Sequence, residues 1–475
     1  MTNRRWWALL TLIVVFTLAR VATTHRVFAQ TLDEGAHLLA GYDALTKRLF
    51  STDRMHPPLP RMLFALPFLN EPEPTVEPRF HELLLRDDRY TQNLARMRMG
   101  NLPFLALGIV AVALWGRRLL SPKGGLLAAV LYASLPPVLA HGGLATTDMA
   151  AAATLAFALY ALDVLLERRT GFSPSWGGLK PALRLGLAVA LGMLSKYSFL
   201  VFFPACAVVL LALRRRFPWK ELLVAAVVAG ILTAIVMPPP EYAAGLLEVR
   251  RKNADPPMAF LFGEARTGGW WYYFPVALFF KTPIAFLLLA LAGVRRDAAA
   301  IAAVILGIAM TSDINIGVRH ILPIYAPLAL MAASIRVRWL TIAMTAWLVV
   351  GSALAHPDYL PWFNAFAGKE PQRVLNDSNL DWGQDILRLV RVARDERIPS
   401  ISISLTSFAP LERIGFPPYR ELQALQPVQG WVAVSELNLA LGRGVSPELR
   451  QWVDATFADR PYRRVGKSIR LYRFD

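Results

Sequence analysis

Runs of predominantly apolar residues recur from residue 6 to residue 355, separated by short polar breaks. Taken as membrane-spanning helices, they cover 6–24, 99–116, 124–140, 148–166, 182–195, 198–213, 220–238, 271–293, 297–312, 320–335 and 338–355. The run at 182–195 is short for a bilayer. The breaks are not equivalent. Basic residues gather before the first run (Arg4, Arg5), between the second and third (Arg117, Arg118, Lys123) and after the fourth (Arg168, Arg169). They gather again after the sixth (Arg214, Arg215, Arg216), the eighth (Arg295, Arg296) and the tenth (Arg336, Arg338). With eleven spans all these clusters fall on one side, which the positive-inside rule makes cytoplasmic, and removing one span scrambles the later ones. The opposite side then receives the loop 25–98, the turn 141–147, Lys196, the loop 239–270, the turn 313–319 and the tail from 357. The stretch "EVRRKN" in the loop 239–270 runs against the rule, which long loops obey weakly.

After residue 356 the pattern changes. Residues 385–398 keep a helical spacing of apolar positions, whereas 400–408, 430–437 and 468–474 alternate or are β-branched, as strands are. The expected fold class is an α-helical multi-pass membrane protein of about eleven spans over 1–356, with a small α/β domain over 357–475. No inverted repeat of the transporter kind stands out.

Composition agrees. Of 475 residues, 55% are hydrophobic and only 18% charged, where a soluble protein carries about a quarter. The net charge of +17 sits in arginine clusters between apolar runs, a pattern of membrane orientation and not of a nucleic-acid groove. The single cysteine, Cys206, lies in an apolar run, so neither a disulfide framework nor a cysteine metal site can form. The first residues, with a basic start and a small residue before Gln30, could pass for a secretory signal. Their length and the aromatic pair Trp6 and Trp7 favour a retained anchor with its N-terminus cytoplasmic.

Candidate chemistry collects on the side opposite the basic clusters. "TLDEGAHLLAGY" sets Asp33, Glu34 and His37 directly after the first span, and on a helix Asp33 and His37 share a face. In "TDRMHPPLPRML", Pro57 and Pro58 stiffen the turn that carries Asp53 and His56. Asp148 begins the fourth span in "HGGLATTDMAAA", where an N-capping role with Thr146 or Thr147 is equally open. Cations stand on the same face: Lys196 and Tyr197 in "LSKYSF", and Arg319 and His320 near Asp313 in "DINIGVRHILPIY". Lys281 lies some way into the eighth span. An ammonium partly buried in a membrane is costly unless paired, and an anionic lipid phosphate would pair it, with snorkelling to headgroups the bland alternative.

These stretches resemble a known family. "LDEGAH…DRMHPPLPRML" is similar to the first loop of the protein O-mannosyltransferases, with an Asp-Glu pair and an HPPL run. "TSDINIGVRHILPIY", "FGEARTGGWWYYFPVALFFKTP" and "VLNDSNLDWGQDI" look like bacterial phospholipid carrier-dependent glycosyltransferases, family 39-like members of the GT-C type. The resemblance implies transfer of a sugar from a polyprenyl-phosphate donor to an acceptor hydroxyl on the extracytoplasmic face of a bacterial cytoplasmic membrane. It implies catalytic roles for Asp33 and its neighbour Glu34, for His56 in the HPP turn and for Asp148. Lys196, Arg319 and Lys281, with His320 and Tyr197 beside them, are expected near the donor phosphate, and His37 and Asp313 in support. "DEGAH" lacks the aromatic that follows in the eukaryotic mannosyltransferases, which leaves the acceptor open: protein, lipid or glycan. A divalent cation at Asp33 and Asp148 stays open too, since some GT-C enzymes use one.

Rival classes explain less. A transporter of a polar or anionic solute would want its ionisable groups near the bilayer midplane. A di-metal bundle would need a second Glu-x-x-His unit besides Glu34–His37.

Overall fold

Proline decides where the apolar runs break. In the computed structural model, which describes residues 1–166, 179–335 and 337–475, the run at 124–140 is two helices, Pro122–Ala133 and Pro136–Gly142, bent by 70°. Pro136 and Pro137 cannot donate to the preceding turn, and the bend falls there. Pro283 does the same to the run at 271–293, where Tyr273–Lys281 and Ile284–Ala292 meet at 112°. Helix occupies each of the eleven apolar runs. Among the described residues four helices are long and apolar enough to cross a membrane: Asn3–Ala22, Tyr90–Leu119, Thr147–Leu166 and Trp219–Val236. They become six if each bent pair is one span. Phe199–Arg214, Val318–Ala332 and Arg338–Leu354 are shorter apolar helices. Arg168, Arg169 and Arg336, used above for orientation, lie outside the described residues.

The bundle shows which faces meet lipid. Along Trp219–Val236 the side chains of Leu223, Val227, Ile231 and Ile235 recur every fourth position and are all exposed. The opposite stripe, Ala225, Ala229 and Thr233, is buried. An apolar stripe left open over four turns is solvated by hydrocarbon and not by water. At the centre lies Thr147–Leu166, nearly all of whose side chains are buried.

The first long loop folds into short helices: Glu34–Lys47, Leu59–Ala65, Arg79–Leu84 and Tyr90–Met99. Glu34–Lys47 lies hard against Leu59–Ala65 because residue 41 is glycine; a Cβ there would sit 1.9 Å from the Arg61 carbonyl oxygen. The tail carries the helix Ile386–Asp395 and a five-stranded sheet in the order Tyr419–Glu421, Ile401–Ser404, Gly430–Ser435, Ile469–Phe474, Arg463–Val465. The first three strands run parallel, and Ile469–Phe474 pairs antiparallel on both sides. The three strands and the helix read from sequence are present. Two three-residue strands, Tyr419–Glu421 and Arg463–Val465, are too short to show alternation and escaped that reading.

The loop and the tail share one hydrophobic core. Leu38, Phe64, Phe68 and Leu94 of the loop pack with Ile386, Leu389, Ile401 and Leu471 of the tail. Trp382 and Leu360 of the tail belong instead to the core of the helix bundle. The tail is thereby fixed against both layers, and its segment 376–385 reaches the bundle.

Candidate active site

Asp33 stands at the N-cap of Glu34–Lys47, yet its side chain makes no capping bond. The carboxylate is free to turn toward the bundle, where Oδ2 accepts from Arg319 Nη1 at 2.7 Å. Arg319 comes from the 3-10 helix Val318–Ile324, which leads into the apolar helix Tyr325–Ala332. The same Nη1 lies 3.7 Å from Asp148 Oδ2. Asp148 Oδ1 in turn accepts from Lys196 Nζ at 2.5 Å. Asp148 is in the first turn of its helix, where the macrodipole favours an anion, and its carboxylate serves Lys196. Four distant parts of the chain thus supply one row of alternating charge. Within it the Nε of Arg319 is buried without a hydrogen-bond partner, as is Oδ2 of Asp148.

A second cluster adjoins the row. His37 follows Asp33 by one helical turn, and its Nδ1 lies 3.8 Å from Asp53 Oδ2. His56 Nδ1 is 3.0 Å from the same oxygen and Arg61 Nη1 3.1 Å. The guanidinium of Arg61 also donates to the carbonyls of Asp53 and His56, locking the turn that the two prolines stiffen. The imidazoles of His37 and His56 meet edge to face, 4.8 Å between centroids. Asp33, His37, Asp53 and His56 line an open cavity of about 560 Å³, together with Glu248 and Phe408.

Electrostatics assign the charges. Burial works against an ionised Asp33, but the Arg319 guanidinium, hydrogen-bonded to it, holds its carboxyl below the usual carboxylate range. Burial also opposes charge on Asp53, and His56 and Arg61 hold it well below that range. His37 is pushed down to about 3 by burial and by its neighbour His56, so it is a neutral imidazole. Asp377, in the tail, faces the Arg319 side of the row; burial pushes it up to about 6 despite Arg319.

Ligand atoms of His37, Asp53 and His56 lie within 4.8 Å of one another, and two imidazoles with a carboxylate are a zinc-type set. His37 Nδ1 is buried and unpartnered. The Arg61 guanidinium, however, already lies on the carboxylate oxygen an ion would share, a fixed positive charge where a second would have to sit. Between Asp33 and Asp148 the place of an ion is likewise taken by Arg319, with Lys196 beyond it. With these cations in place neither donor set fits a divalent cation.

The remaining candidates separate. Glu34 is fully buried and its oxygens are engaged: Arg98 donates to both at 2.8 and 2.7 Å, and the amides of Thr31 and Ala145 at 2.9 and 2.8 Å. Its carboxylate ties loop to bundle. Lys281 donates to the carbonyls of Leu360, Trp362 and Asn379 at 2.8, 2.5 and 2.7 Å, which uses all three of its N–H groups. The Tyr197 hydroxyl donates to the Tyr242 carbonyl. His320 lies within electrostatic reach of Lys196, Arg319, Asp148 and His56, its ring beside Phe274. Asp313 is exposed and apart from the row. Reading the sequence missed Arg98, Arg61, Asp377 and Trp382. The last two stand in "VLNDSNLDWGQDI", a stretch whose likeness to a family was visible but whose place in space was not.

The bundle of apolar helices carries a charged site where its loops and tail converge. Over 99% of its length the chain matches ArnT from Cupriavidus metallidurans bound to undecaprenyl phosphate, covering 98% of that chain with a TM-score of 0.52 at 12% identity. The apo state of the same protein matches over the same shares, with a TM-score of 0.50 and 12% identity. At such identity the likeness is one of fold. The Saccharomyces cerevisiae protein O-mannosyltransferase Pmt1-Pmt2 complex bound to the sugar donor aligns over 52% of this chain and 34% of its own, at 17% identity. Its TM-score of 0.36 is too low to carry an argument. Residues 92–239 match the family described as Dolichyl-phosphate-mannose-protein mannosyltransferase. No curated protein matches the chain in sequence. The chain thus shares its fold with ArnT, and its residues 92–239 resemble the Dolichyl-phosphate-mannose-protein mannosyltransferase family.

Proposed function

We propose that the protein transfers a sugar from a polyprenyl-phosphate donor to an acceptor hydroxyl on the extracytoplasmic face of the cytoplasmic membrane, with inversion and with Asp33 as base. The observation that carries this reading is the row Asp33–Arg319–Asp148–Lys196, a carboxylate held beside cations next to an open cavity. The eleven-span arrangement, which puts this face opposite the basic clusters, belongs to the same proposal.

In the reaction Asp33 takes the proton of the acceptor hydroxyl as its oxygen attacks the anomeric carbon. The bond from that carbon to the phosphate oxygen breaks on the opposite side through an oxocarbenium-like state, and its electron pair leaves with the polyprenyl phosphate. Arg319 and Lys196 stabilise the charge growing on the phosphate. The unpartnered Nε of Arg319 supports this role, since it is a buried donor with capacity to spare. A phosphate that draws the guanidinium away from Asp33 also raises the proton affinity of that carboxylate, so the base strengthens as the donor arrives. ArnT, bound to undecaprenyl phosphate, supports a lipid-phosphate ligand for this fold.

The reading is tested by incubating the purified protein with a panel of polyprenyl-phosphate sugars and acceptor extracts, and following products by mass spectrometry. A mass shift of one sugar on an acceptor is expected. Movement of a solute across proteoliposomes without sugar transfer would replace the enzyme by a transporter. Within the site, Lys196→Met removes one charge-assisted contact to the phosphate, worth about 1.5–3 kcal/mol. The kcat/KM for the donor should fall about tenfold or more, with kcat sharing the loss because the charge on the phosphate grows in the transition state; a change confined to the acceptor KM would remove Lys196 from the phosphate.

A further inference from the structure

Trp382 lies against Arg319 and bonds the residue before Asp33, although it belongs to the tail. Its indole, 1% exposed, lies beneath the Arg319 guanidinium, whose carbon is 4.3 Å from the ring centroid. Its carbonyl oxygen accepts from the Leu32 amide at 3.2 Å, one residue before Asp33. The neighbouring Gln384 carbonyl accepts from Ala29 at 3.0 Å, so the segment runs alongside 29–32 and fixes the approach to Asp33.

The same segment holds the backbone around Arg319. Asn379 Oδ1 accepts from the Val318 amide at 3.0 Å, and Ser378 Oγ donates to the Ile316 carbonyl at 2.6 Å. The approach is close enough that a Cβ on Gly317 would lie 2.1 Å from Ser378 Oγ. Lys281, by donating to the carbonyls of Leu360, Trp362 and Asn379, pins this part of the tail to the bundle. The indole edge also meets the buried ring of His141 at 6.1 Å, closing Trp382 in from the bundle side.

A guanidinium is planar and can lie over an aromatic face while its N–H groups point outward, in a plane parallel to the ring. Such a platform leaves Arg319 free to hydrogen-bond at its edge but restricts its tilt. Because Nη1 is shared between two carboxylates 2.7 and 3.7 Å away, a change of tilt alters which of them it serves.

We propose that Trp382 is a positioning residue for sugar transfer: its ring sets the plane of the Arg319 guanidinium and its carbonyl sets the approach to Asp33, so that the tail completes the catalytic site. This rests on the function proposed above. Trp382 contacts neither donor nor acceptor in this account; it acts through Arg319 and Asp33.

The test compares Trp382→Leu and Trp382→Phe in the full-length protein, using a donor from the panel that the wild type turns over. Leucine removes the π face and phenylalanine keeps one. Trp382→Leu should lower kcat at least ~10-fold, the size of a desolvated cation–π contact, with the donor KM changed less than about threefold. Trp382→Phe should recover most of that loss, while thermal midpoints of the two variants stay close to each other. Equal losses in both variants, tracking a common fall in thermal midpoint, would make Trp382 merely structural and overturn the proposal. Wild-type kinetics in Trp382→Leu would overturn it as well, with the function intact. A wild type inert toward every donor would instead remove the function and this inference together.

Discussion

Asp33→Asn should lose sugar transfer by about a thousandfold, within the range of 10²–10⁴ that a positioned general base contributes, while expression and thermal midpoint change little. Asparagine keeps the shape and one acceptor oxygen but cannot take the acceptor's proton. The fold should tolerate the change, because the Asp33 side chain makes no capping bond and is 32% exposed toward the cavity. Arg319 is not orphaned either, since Asp148 stands 3.7 Å from the same nitrogen. Binding of the polyprenyl-phosphate donor should therefore persist or tighten, because one negative charge beside the phosphate is gone. Loss of turnover with retained binding separates a base from a binding residue. Turnover within tenfold of wild type would end the role assigned to Asp33.

The pH profile carries a second signature of the same residue. With Arg319 in place Asp33 is held below the ordinary carboxylate range, so the acid limb of kcat/KM, which reports the free enzyme, should lie below that of an ordinary aspartate. When the donor phosphate engages Arg319, the pKa of Asp33 rises, and the acid limb of kcat should lie at higher pH than that of kcat/KM. Coincident limbs would mean that Arg319 does not leave Asp33 during the reaction.

Much of this site could be read from the chain before any coordinates, and the reason is physical. Asp33, Asp148, Lys196 and Arg319 all fall at ends of apolar runs, and a membrane forces the ends of successive spans onto two faces, so counting runs brings them together. Pairing within the face is another matter. Glu34 is next to Asp33 and looked like its partner, yet successive residues of a helix point in different directions. Asp33 turns to Arg319, while Glu34 turns inward to Arg98. Lys281 was placed with the phosphate for being a cation deep in a span; three backbone carbonyls from the tail answer its charge, and carbonyls leave no mark in a sequence. Trp382 and Asp377 arrive by long-range packing of the tail, which no local pattern encodes. Elements were legible in part: the apolar runs and the amphipathic helix Ile386–Asp395 showed their period, whereas the helices Pro239–Ala254, Glu436–Val445 and Pro447–Phe457 and the strands of three did not.

Glu34→Gln is the sharpest test of that division between the two neighbouring acids. Glu34 and Arg98 are both fully buried and paired through two hydrogen bonds, and Arg98 also donates to the carbonyls of His25, Phe28 and Ala29. Glutamine keeps the volume and one acceptor oxygen, but it turns an NH2 toward the donors of the other and leaves the guanidinium without its counter-charge in a region closed to water. Breaking a buried pair in this way costs about 3–5 kcal/mol, so the thermal midpoint in detergent should fall by roughly 5 °C or more. The sign of its pH dependence follows. Burial disfavours the ionised form, but Arg98, with the Ala145 and Thr31 amides, holds the Glu34 carboxyl below its usual range. Its stabilisation is therefore complete above the unfolded carboxyl's pKa of about 4.3 and fades as pH falls through the lower folded value. The wild-type midpoint should drop toward that of Glu34→Gln in acid, and the difference between the two should be widest near neutrality. What survives of the folded variant should still transfer sugar with a kcat within about threefold of wild type, because Glu34 does not line the cavity that Asp33 opens onto. A variant with unchanged thermal midpoint and no turnover would give the opposite assignment: the buried tie would be catalytic, and the pairing with Arg98 incidental to the fold.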